Sequence, residues 1–272
     1  MQLEFHGVSG TFPAPGADRA RYGGHTTCAS LRLGPNNYLV VDAGTGLRAL
    51  GERILSEAGN AEVRVDLLLT HFHLDHILGF PFFAPLFSPL ASLTVHAPGD
   101  PGETRRALAG LMAGRYYPVT LDRTGARKEF REFEPGTIGG RVRVSSCPLR
   151  HPQGSVAYRL EAEGTSFVLA VDTEHPENGL DDRLAAFAED ADALVYDATY
   201  TPAEYEAGKR GWGHSTWLAG TALAAAARVK TLVLSHFNPD HTDADIDRIR
   251  EAARERLPGT LAAAQALRLG KE

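Results

Sequence analysis

The strongest constraint on the fold is a histidine-rich segment that directly follows an apolar run. Residues 65–70 read Val-Asp-Leu-Leu-Leu-Thr, and the next six residues read His-Phe-His-Leu-Asp-His. Because alternate side chains of a strand share one face, His71 and His73 can point the same way, and the chain then turns at Asp75 and His76. Imidazole and carboxylate groups without thiolate suit zinc, manganese or iron. Since catalytic residues favour loops held by rigid strands, the segment indicates ligands for two neighbouring metal ions in preference to a solvated histidine-rich loop.

The rest of the chain alternates short apolar strands with helices and contains no low-complexity linker. The predicted strands lie near residues 2–8, 29–33, 38–42, 63–70, 93–96, 142–146, 155–161, 166–171, 193–196 and 232–235. The predicted helices lie near residues 47–58, 101–114, 182–189, 218–228 and 243–257. Long helices that alternate with hairpins predict an α+β fold in which helices cover two facing sheets, a four-layer αββα sandwich. We expect one domain over residues 1–272.

The spacing of residues 71–76 resembles the H-x-H-x-D-H signature of the metallo-β-lactamase superfamily. The family pattern adds a histidine, a bridging aspartate and a late histidine, each after a strand. His151, Asp172 and His236 occur in this order, each where an apolar run ends. The resemblance covers essentially the whole chain and implies the same αββα fold.

The same resemblance divides the candidate ligands into two sets that share one aspartate. The implied ligands are His71, His73 and His151 for the first ion, Asp75, His76 and His236 for the second, and Asp172 as the bridge between them. The expected cofactors are therefore two divalent metal ions, with zinc preferred and manganese or iron as alternatives.

A second pair of motifs resembles the ribonuclease Z branch of the superfamily. Residues 196–199 read Tyr-Asp-Ala-Thr where that branch has His-Glu-Ala-Thr, and residues 214–216 match its His-Ser-Thr loop in full. The resemblance implies that Asp197 holds the ring of His214, which faces the phosphate and supplies the acid. Alternatively, His214 only precedes a helix that begins with Ser215 or Thr216 as its N-terminal cap.

The chain also contains a partial internal repeat. Residues 67–76 align with residues 232–241, and six of the ten positions are identical. A strand that ends in His-Phe thus occurs once in each half, as expected for two related β-rich halves. Asn238 replaces His73, so the second copy has lost a ligand. We expect Asp240 to begin an acidic helix cap, and the role of His241 stays open.

Composition favours a cytoplasmic enzyme over a membrane protein. The 272 residues are 43% hydrophobic, enough for one large core or two small ones, and no apolar stretch approaches the ~20 residues that span a bilayer. The N-terminus reads as no signal peptide. Cys28 and Cys147 are too few for a disulfide framework and are expected to be buried thiols in a reducing compartment. A net charge of −6 argues against a large nucleic-acid surface.

The expected reaction is hydrolysis of a phosphodiester. Two metal ions held together lower the pKa of a water between them, and Asp75 and Asp172 would orient the resulting bridging hydroxide for attack at phosphorus. His214, backed by Asp197, would stabilise the transition state or protonate the leaving alkoxide. The predicted catalytic residues are therefore Asp75, His214 and Asp197.

The expected substrate is a small molecule, such as a cyclic nucleotide or a phosphoribosyl cyclic phosphate. The segment between Asp172 and Asp197 is short, and nothing in the chain resembles the glycine- and proline-rich arm with which classical bacterial ribonuclease Z grips transfer RNA. A tRNA 3′-processing endonuclease and a metal-binding sensor without turnover are the alternatives. The family implies a homodimer by analogy. His25 is a candidate substrate contact, and His175 is expected to be structural or exposed.

Overall fold

The fold consists of two mixed sheets of seven strands each, seen in a computed structural model that describes residues 1–271. Within these residues the strands, in chain order, are β1 (Gln2–Gly7), β2 (Cys28–Gly34), β3 (Asn37–Val41), β4 (Val63–Leu68), β5 (Ala91–Ala97), β6 (Arg127–Glu132), β7 (Gly136–Ile138), β8 (Val142–Leu149), β9 (Ser155–Ala162), β10 (Thr165–Ala170), β11 (Ala193–Asp197), β12 (Leu232–Ser235), β13 (Leu261–Ala262) and β14 (Arg268–Gly270). The helices are α1 (Leu47–Ala58), α2 (Leu74–Ile77), α3 (Pro101–Leu111), α4 (Asp182–Phe187), α5 (Pro202–Glu206), α6 (Trp217–Ala226) and α7 (Asp243–Arg256).

The two sheets have the same plan. The first has the order β14-β1-β2-β3-β4-β5-β6 and the second β13-β12-β11-β10-β9-β8-β7. In each sheet three successive pairings are antiparallel and three are parallel. The two copies of the internal repeat correspond to β4 in the first sheet and β12 in the second, and both strands lie among parallel neighbours.

The core has two layers of apolar side chains. One layer lies between the sheets and joins residues such as Leu31 and Leu39 of the first sheet to Leu160 and Phe167 of the second. The other layer packs the outer face of the first sheet against α1 and α3. On the far side, α4, α6 and α7 contact strands of the second sheet. The order of layers is therefore helix, sheet, sheet, helix, which confirms the predicted αββα sandwich.

Local sequence accounts for most element boundaries. Helix α1 has the predicted bounds, and Glu163 and Gly164 form the predicted turn between β9 and β10, both with positive φ. Helix α7 begins at the predicted Asp243, but its cap is not Asp240: Thr242, two residues later, accepts the hydrogen bond from Asp245 N. Thr242 and Asp245 satisfy each other's backbone N–H groups, which Asp240 does not.

Four short strands, β6, β7, β13 and β14, escaped prediction. Strand β6 reads Arg-Lys-Glu-Phe-Arg-Glu and lies at the edge of the first sheet, where charged side chains stay in water and discourage pairing with other chains. The other three have only two or three residues each. Such strands carry almost no hydrophobic periodicity, and only their pairing partners reveal them.

Among the helices of residues 1–271, none has the length and apolar character needed to cross a membrane. Cys28 and Cys147 are both free and buried, as predicted. Neither thiol therefore contributes a cross-link to the fold.

Candidate metal centre

The ends of strands bring the predicted ligands together at one edge of the sandwich. His71 lies three residues beyond β4, His151 two beyond β8, Asp172 two beyond β10, and His236 directly after β12. These strands point their carboxyl ends at the same edge, so side chains far apart in sequence meet there. The ligand atoms form two groups, each with its members' atoms within 4.8 Å of one another: His71, His73, His151 and Asp172; and Asp75, His76, Asp172 and His236.

The first group contains a buried imidazole nitrogen that has no hydrogen-bond partner. His151 Nε2 lies 3.0 Å from His73 Nδ1 and 3.7 Å from Asp172 Oδ1. His71 Nε2 lies 3.9 Å from the same carboxylate oxygen and, although buried, makes no hydrogen bond. Its other nitrogen donates to Thr70 Oγ1 at 3.0 Å. An unpaired buried imidazole nitrogen is costly in a protein interior, and a metal ion would satisfy it.

The second group is more tightly packed and almost wholly buried. His76 Nε2 lies 2.8 Å from Asp172 Oδ2 and 3.4 Å from His236 Nε2. His236 Nε2 in turn lies 3.2 Å from Asp75 Oδ2. Asp172 contributes Oδ1 to the first group and Oδ2 to the second, so it occupies the shared position.

The charge states suit metal binding. Burial lowers the pKa of His71 to about 2, helped by the neighbouring His76, so the ring is a neutral ligand at pH 7. Burial alone would raise the pKa of Asp172, but the surrounding imidazoles, His236 first, hold it well below its usual range. Asp75 is likewise held ionised, mainly by His76. Burial alone would lower the pKa of His76 and His236, but the neighbouring carboxylates, Asp172 first, raise that of His76 well above its usual value and that of His236 to about 9. A divalent cation bound by these imidazoles and carboxylates would therefore displace the protons of the two rings.

Asp42 and Thr199, which the sequence analysis did not identify, orient His76 and His236 by contacts with their Nδ1 atoms. His76 Nδ1 donates to Asp42 Oδ2 at 2.8 Å, and both side chains are fully buried. His236 Nδ1 donates to Thr199 Oγ1 at 3.0 Å, and that hydroxyl donates to the backbone carbonyl of His236. Such partners fix the ring orientation and the tautomer, leaving Nε2 for the ion. Asp42 ends a predicted strand and Thr199 ends the Asp-Ala-Thr motif, but neither position signalled this role.

His214 and Asp197 lie beside the two metal groups and form a third set with His236, whose nitrogen and oxygen atoms also lie within 4.8 Å of one another. His214 Nδ1 donates to Asp197 Oδ2 at 3.0 Å and lies 3.8 Å from Asp172 Oδ1, and its ring stacks on that of His236 with centroids 5.1 Å apart. Asp197 Oδ1 also accepts from the backbone N–H groups of Thr199 and Ser215.

Hydrogen-bond donors saturate the Asp197 carboxylate. Oδ2 accepts from Asp172 N and Thr173 N in addition to His214 Nδ1, so Oδ1 holds two donors and Oδ2 three. A carboxylate offers about four acceptor sites, so no oxygen lone pair is left for a metal. Burial would raise the pKa of Asp197, but the His214 imidazole holds it below its usual value. The Asp197 carboxylate is thus held by five hydrogen-bond donors, one of which is the ring of His214.

A half-buried carboxylate fixes the loop before His214. Glu174 accepts hydrogen bonds from Gly211 N at 2.7 Å, from Gly213 N at 2.9 Å and from Tyr205 Oη at 2.6 Å. The carbonyl of Gly213 accepts from His151 Nδ1 at 2.8 Å. One loop therefore connects the first metal group to His214.

Three further histidines, His25, His175 and His241, lie outside both metal groups. His25 Nδ1 lies 3.2 Å from Thr45 Oγ1, and His175 Nδ1 lies 2.9 Å from Ser215 Oγ. His241 Nε2 lies 2.9 Å from Glu204 Oε1. His175 thus contacts the residue after His214, whereas His241 supports the start of α5.

A cavity of about 480 Å³ opens beside the first metal group. Its lining combines His71 and His73 with the apolar side chains of Phe72, Pro98 and Val156. It is large enough for a small organic substrate, since ligand pockets span ~300–1,000 Å³.

Comparison with known proteins agrees with this geometry. Residues 37–237 match the model of the beta-lactamase superfamily domain. A ribonuclease Z from Bradyrhizobium sp. (strain ORS 278) is 28% identical over 320 aligned positions, which cover 96% of this chain and 96% of the relative. Because 96% of the 272 residues is about 261, roughly 59 of those 320 positions have no counterpart in this chain.

Solved structures share the fold at lower identity. The metallo-beta-lactamase fold protein YhfI from Bacillus subtilis superposes with a TM-score of 0.73 at 19% identity over 98% of both chains. A diphosphatase from the PhnP family superposes with a TM-score of 0.66 at 17% identity, over 100% of this chain and 98% of that one. The family match, the relatives and the shared fold together show that this chain belongs to the metallo-β-lactamase-fold hydrolases, in their ribonuclease Z-like branch.

Proposed function

We propose that this protein hydrolyses a small phosphodiester at the two metal groups, with His214 acting on the phosphate. The observation that carries the proposal is the position of His214, which is held by Asp197 at 3.0 Å and lies 3.8 Å from the shared Asp172 without belonging to either ligand group. Thioester or lactam hydrolysis would need the metal ligands alone. An additional imidazole that is held by a carboxylate suits a reaction in which the leaving alkoxide must receive a proton.

The ligand residues proposed are His71, His73 and His151 for one ion, Asp75, His76 and His236 for the other, and Asp172 for both. Bound divalent ions would supply Lewis-acid activation of water and of the phosphoryl oxygens. Zinc is the metal that we prefer, because it binds well to imidazole and carboxylate ligands without thiolate. Manganese and iron also bind such ligands and are the alternatives.

In the proposed reaction, residues of the chain position the proton donor, His214, and orient the Asp75 carboxylate. Nδ1 of His214 is occupied by Asp197, so Nε2 is the nitrogen that can donate a proton to the leaving alkoxide or to a phosphoryl oxygen. The hydrogen bond to Asp197 also fixes the orientation of that ring. Thr11 N donates to Asp75 Oδ2 at 2.7 Å, which keeps this carboxylate turned toward the site.

Three features of this chain support a small substrate: the segments that it lacks relative to a ribonuclease Z, its net charge and its cavity. The relative aligned above has roughly 59 positions that this chain lacks. The net charge of −6 offers little general attraction to a polyanion, whose binding normally depends on many cationic contacts. The cavity of about 480 Å³ beside His71 and His73 has room for a small organic group next to the first metal group.

Processing of tRNA 3′ ends is the second candidate function, favoured by the ribonuclease Z identity of the relative. A substrate panel separates the two. Metal-loaded protein is assayed with cyclic nucleotides, cyclic ribose phosphates and precursor tRNA, and metal content is measured on the same sample. We expect turnover of the small diesters. Turnover of precursor tRNA alone would select the endonuclease, and no hydrolysis of any phosphodiester would refute both.

A further inference from the structure

We propose that Trp212 and Lys209 form a subsite for the aromatic base of a nucleotide, beside the metal centre. The proposal rests on the proposed function, because the subsite would hold the part of a phosphodiester that is not attacked. It narrows the substrate from any small phosphodiester to one that carries a flat heterocycle.

The backbone on both sides of Trp212 is held in place. Gly211 and Gly213 have φ values of +79° and +84°, a region that favours glycine, and both donate their N–H groups to Glu174. The carbonyl of Gly213 accepts from His151. The indole is therefore presented from a fixed loop, and little conformational entropy is lost when a ligand stacks on it.

The indole ring itself is largely in solvent. Trp212 is 57% exposed, whereas most tryptophans in proteins are largely buried. Lys209 Nζ lies 4.0 Å from the ring centroid. Proteins that bind single-stranded nucleic acids stack bases on aromatic side chains, because every base has a π-face. Cations that contact such aromatic rings add to this binding.

The charge of Lys209 is uncompensated. Within residues 1–271 no carboxylate lies within ion-pair distance of it, whereas the next residue, Arg210, pairs with both Glu177 and Glu206. Lys230 likewise pairs with Asp192. An unpaired ammonium in an acidic protein is available to a phosphate oxygen.

Contacts between rings connect this pair to His214. Lys209 Nζ lies 5.7 Å from the centroid of Tyr200, and the Tyr200 ring lies 5.9 Å from that of His214. His214 in turn lies at the shared Asp172. A nucleotide is long enough to place its base at Trp212 and its phosphate near Lys209 and the metal groups.

The test compares two ligands that share a phosphate and differ in the base. Adenosine 5′-monophosphate and ribose 5-phosphate are titrated into metal-loaded protein by calorimetry, so that any attraction of the metal ions to phosphate is common to both. We expect the nucleotide to bind roughly 10-fold or more tightly, as stacking on one aromatic residue allows. Equal dissociation constants for the two ligands would overturn the subsite.

Variants test whether Trp212 causes the preference for the nucleotide over ribose 5-phosphate. Trp212→Ala should bring the two dissociation constants together, whereas Trp212→Phe, which keeps a ring, should retain most of the difference. Lys209→Met should weaken both ligands. The matched control is Arg141→Met, which removes one positive charge from the turn before β8, at the opposite end of that strand from His151. A Trp212→Ala protein that still prefers the nucleotide would refute the proposal.

The binding measurement also separates this inference from the proposed function. Failure to hydrolyse any diester would refute the function but leave the calorimetric preference for the base unchanged. Conversely, active protein with identical KM values for base-containing and base-free cyclic phosphates would keep the function and exclude the subsite.

Discussion

Asp42 accepts a hydrogen bond from His76 at 2.8 Å, between two side chains that are both fully buried. Asp42 also accepts from the N–H and the hydroxyl of Thr70, the last residue before the histidine-rich segment. One carboxylate thus fixes both the start of that segment and the ring of one of its ligands. Its backbone has φ of +60°, which aspartate and asparagine tolerate better than most residues.

Replacing Asp42 by Asn should weaken metal binding roughly 10- to 100-fold, the usual cost of losing an outer partner of a ligating histidine. Asn keeps the shape and the backbone preference but removes the charge. Metal affinity is measured by competition with a chelator of known affinity. The control is Asp66→Asn, which removes the carboxylate that pairs with His96 outside both metal groups and should leave the affinity unchanged.

His73→Ala and His236→Ala should each remove mainly one of two bound ions, because the two histidines belong to different ligand groups. Elemental analysis of purified protein should give about two ions for the native chain and about one for each variant. Asp172→Asn should lower the occupancy of both positions, since this carboxylate belongs to both groups. A native protein with a single ion would contradict the two-ion arrangement.

His214→Ala should keep the native metal content and lower kcat on an alkyl phosphodiester by roughly 10²–10⁴, the range for a lost general acid. The loss should shrink for a nitrophenyl diester, because nitrophenol leaves without a proton. Steady-state kinetics with both substrates and metal analysis of the same sample decide the matter. A variant that loses metal, or that retains full activity on the alkyl diester, would make His214 structural.

Asp197→Ala should be much more damaging to the fold than His214→Ala. It removes the acceptor for the backbone N–H groups of Asp172, Thr199 and Ser215, and each buried group left unpaired costs ~1–3 kcal/mol. Urea unfolding of the metal-free proteins should therefore show a clearly lower midpoint for Asp197→Ala. Equal unfolding midpoints for the two variants would contradict this structural role.

Gly213→Ala should reduce metal content at the first group. An added Cβ would lie 2.5 Å from His151 Nδ1 and 2.2 Å from Pro152 Cδ, so His151 must move. Gly179→Ala is the matched control, since Gly179 has a similar φ of +78° but no heavy atom within 4 Å of the added carbon. Both variants carry the same backbone strain, and only the first should lose an ion by elemental analysis. Equal metal content in the two variants would exclude the steric mechanism.

Much of the candidate site was readable from the sequence because its signals are local. The spacing of residues 71–76, and the resemblance that it carries to the metallo-β-lactamase superfamily, implied every side chain that the structure gathers into the two metal groups. The three later ligands each follow an apolar run. Strand alternation and strand ends are determined by a few consecutive residues, so they survive without knowledge of the partners. The same reason explains why α1, with its amphipathic pattern, was located at its observed bounds.

The residues behind the site were decided only by the tertiary structure. Asp42 supports His76 across 34 positions of the chain, and Glu174 holds the glycines around Trp212 across 37 and 39 positions. No spacing or periodicity links such residues, because their contact depends on how the two sheets pack and on which loops meet at their edge. The sequence by itself therefore determined which side chains could bind metal and in what order they occur along the chain. Packing decided which carboxylates became supports instead of ligands, since burial demands that every hydrogen-bonding group find a partner among the residues the fold happens to bring near.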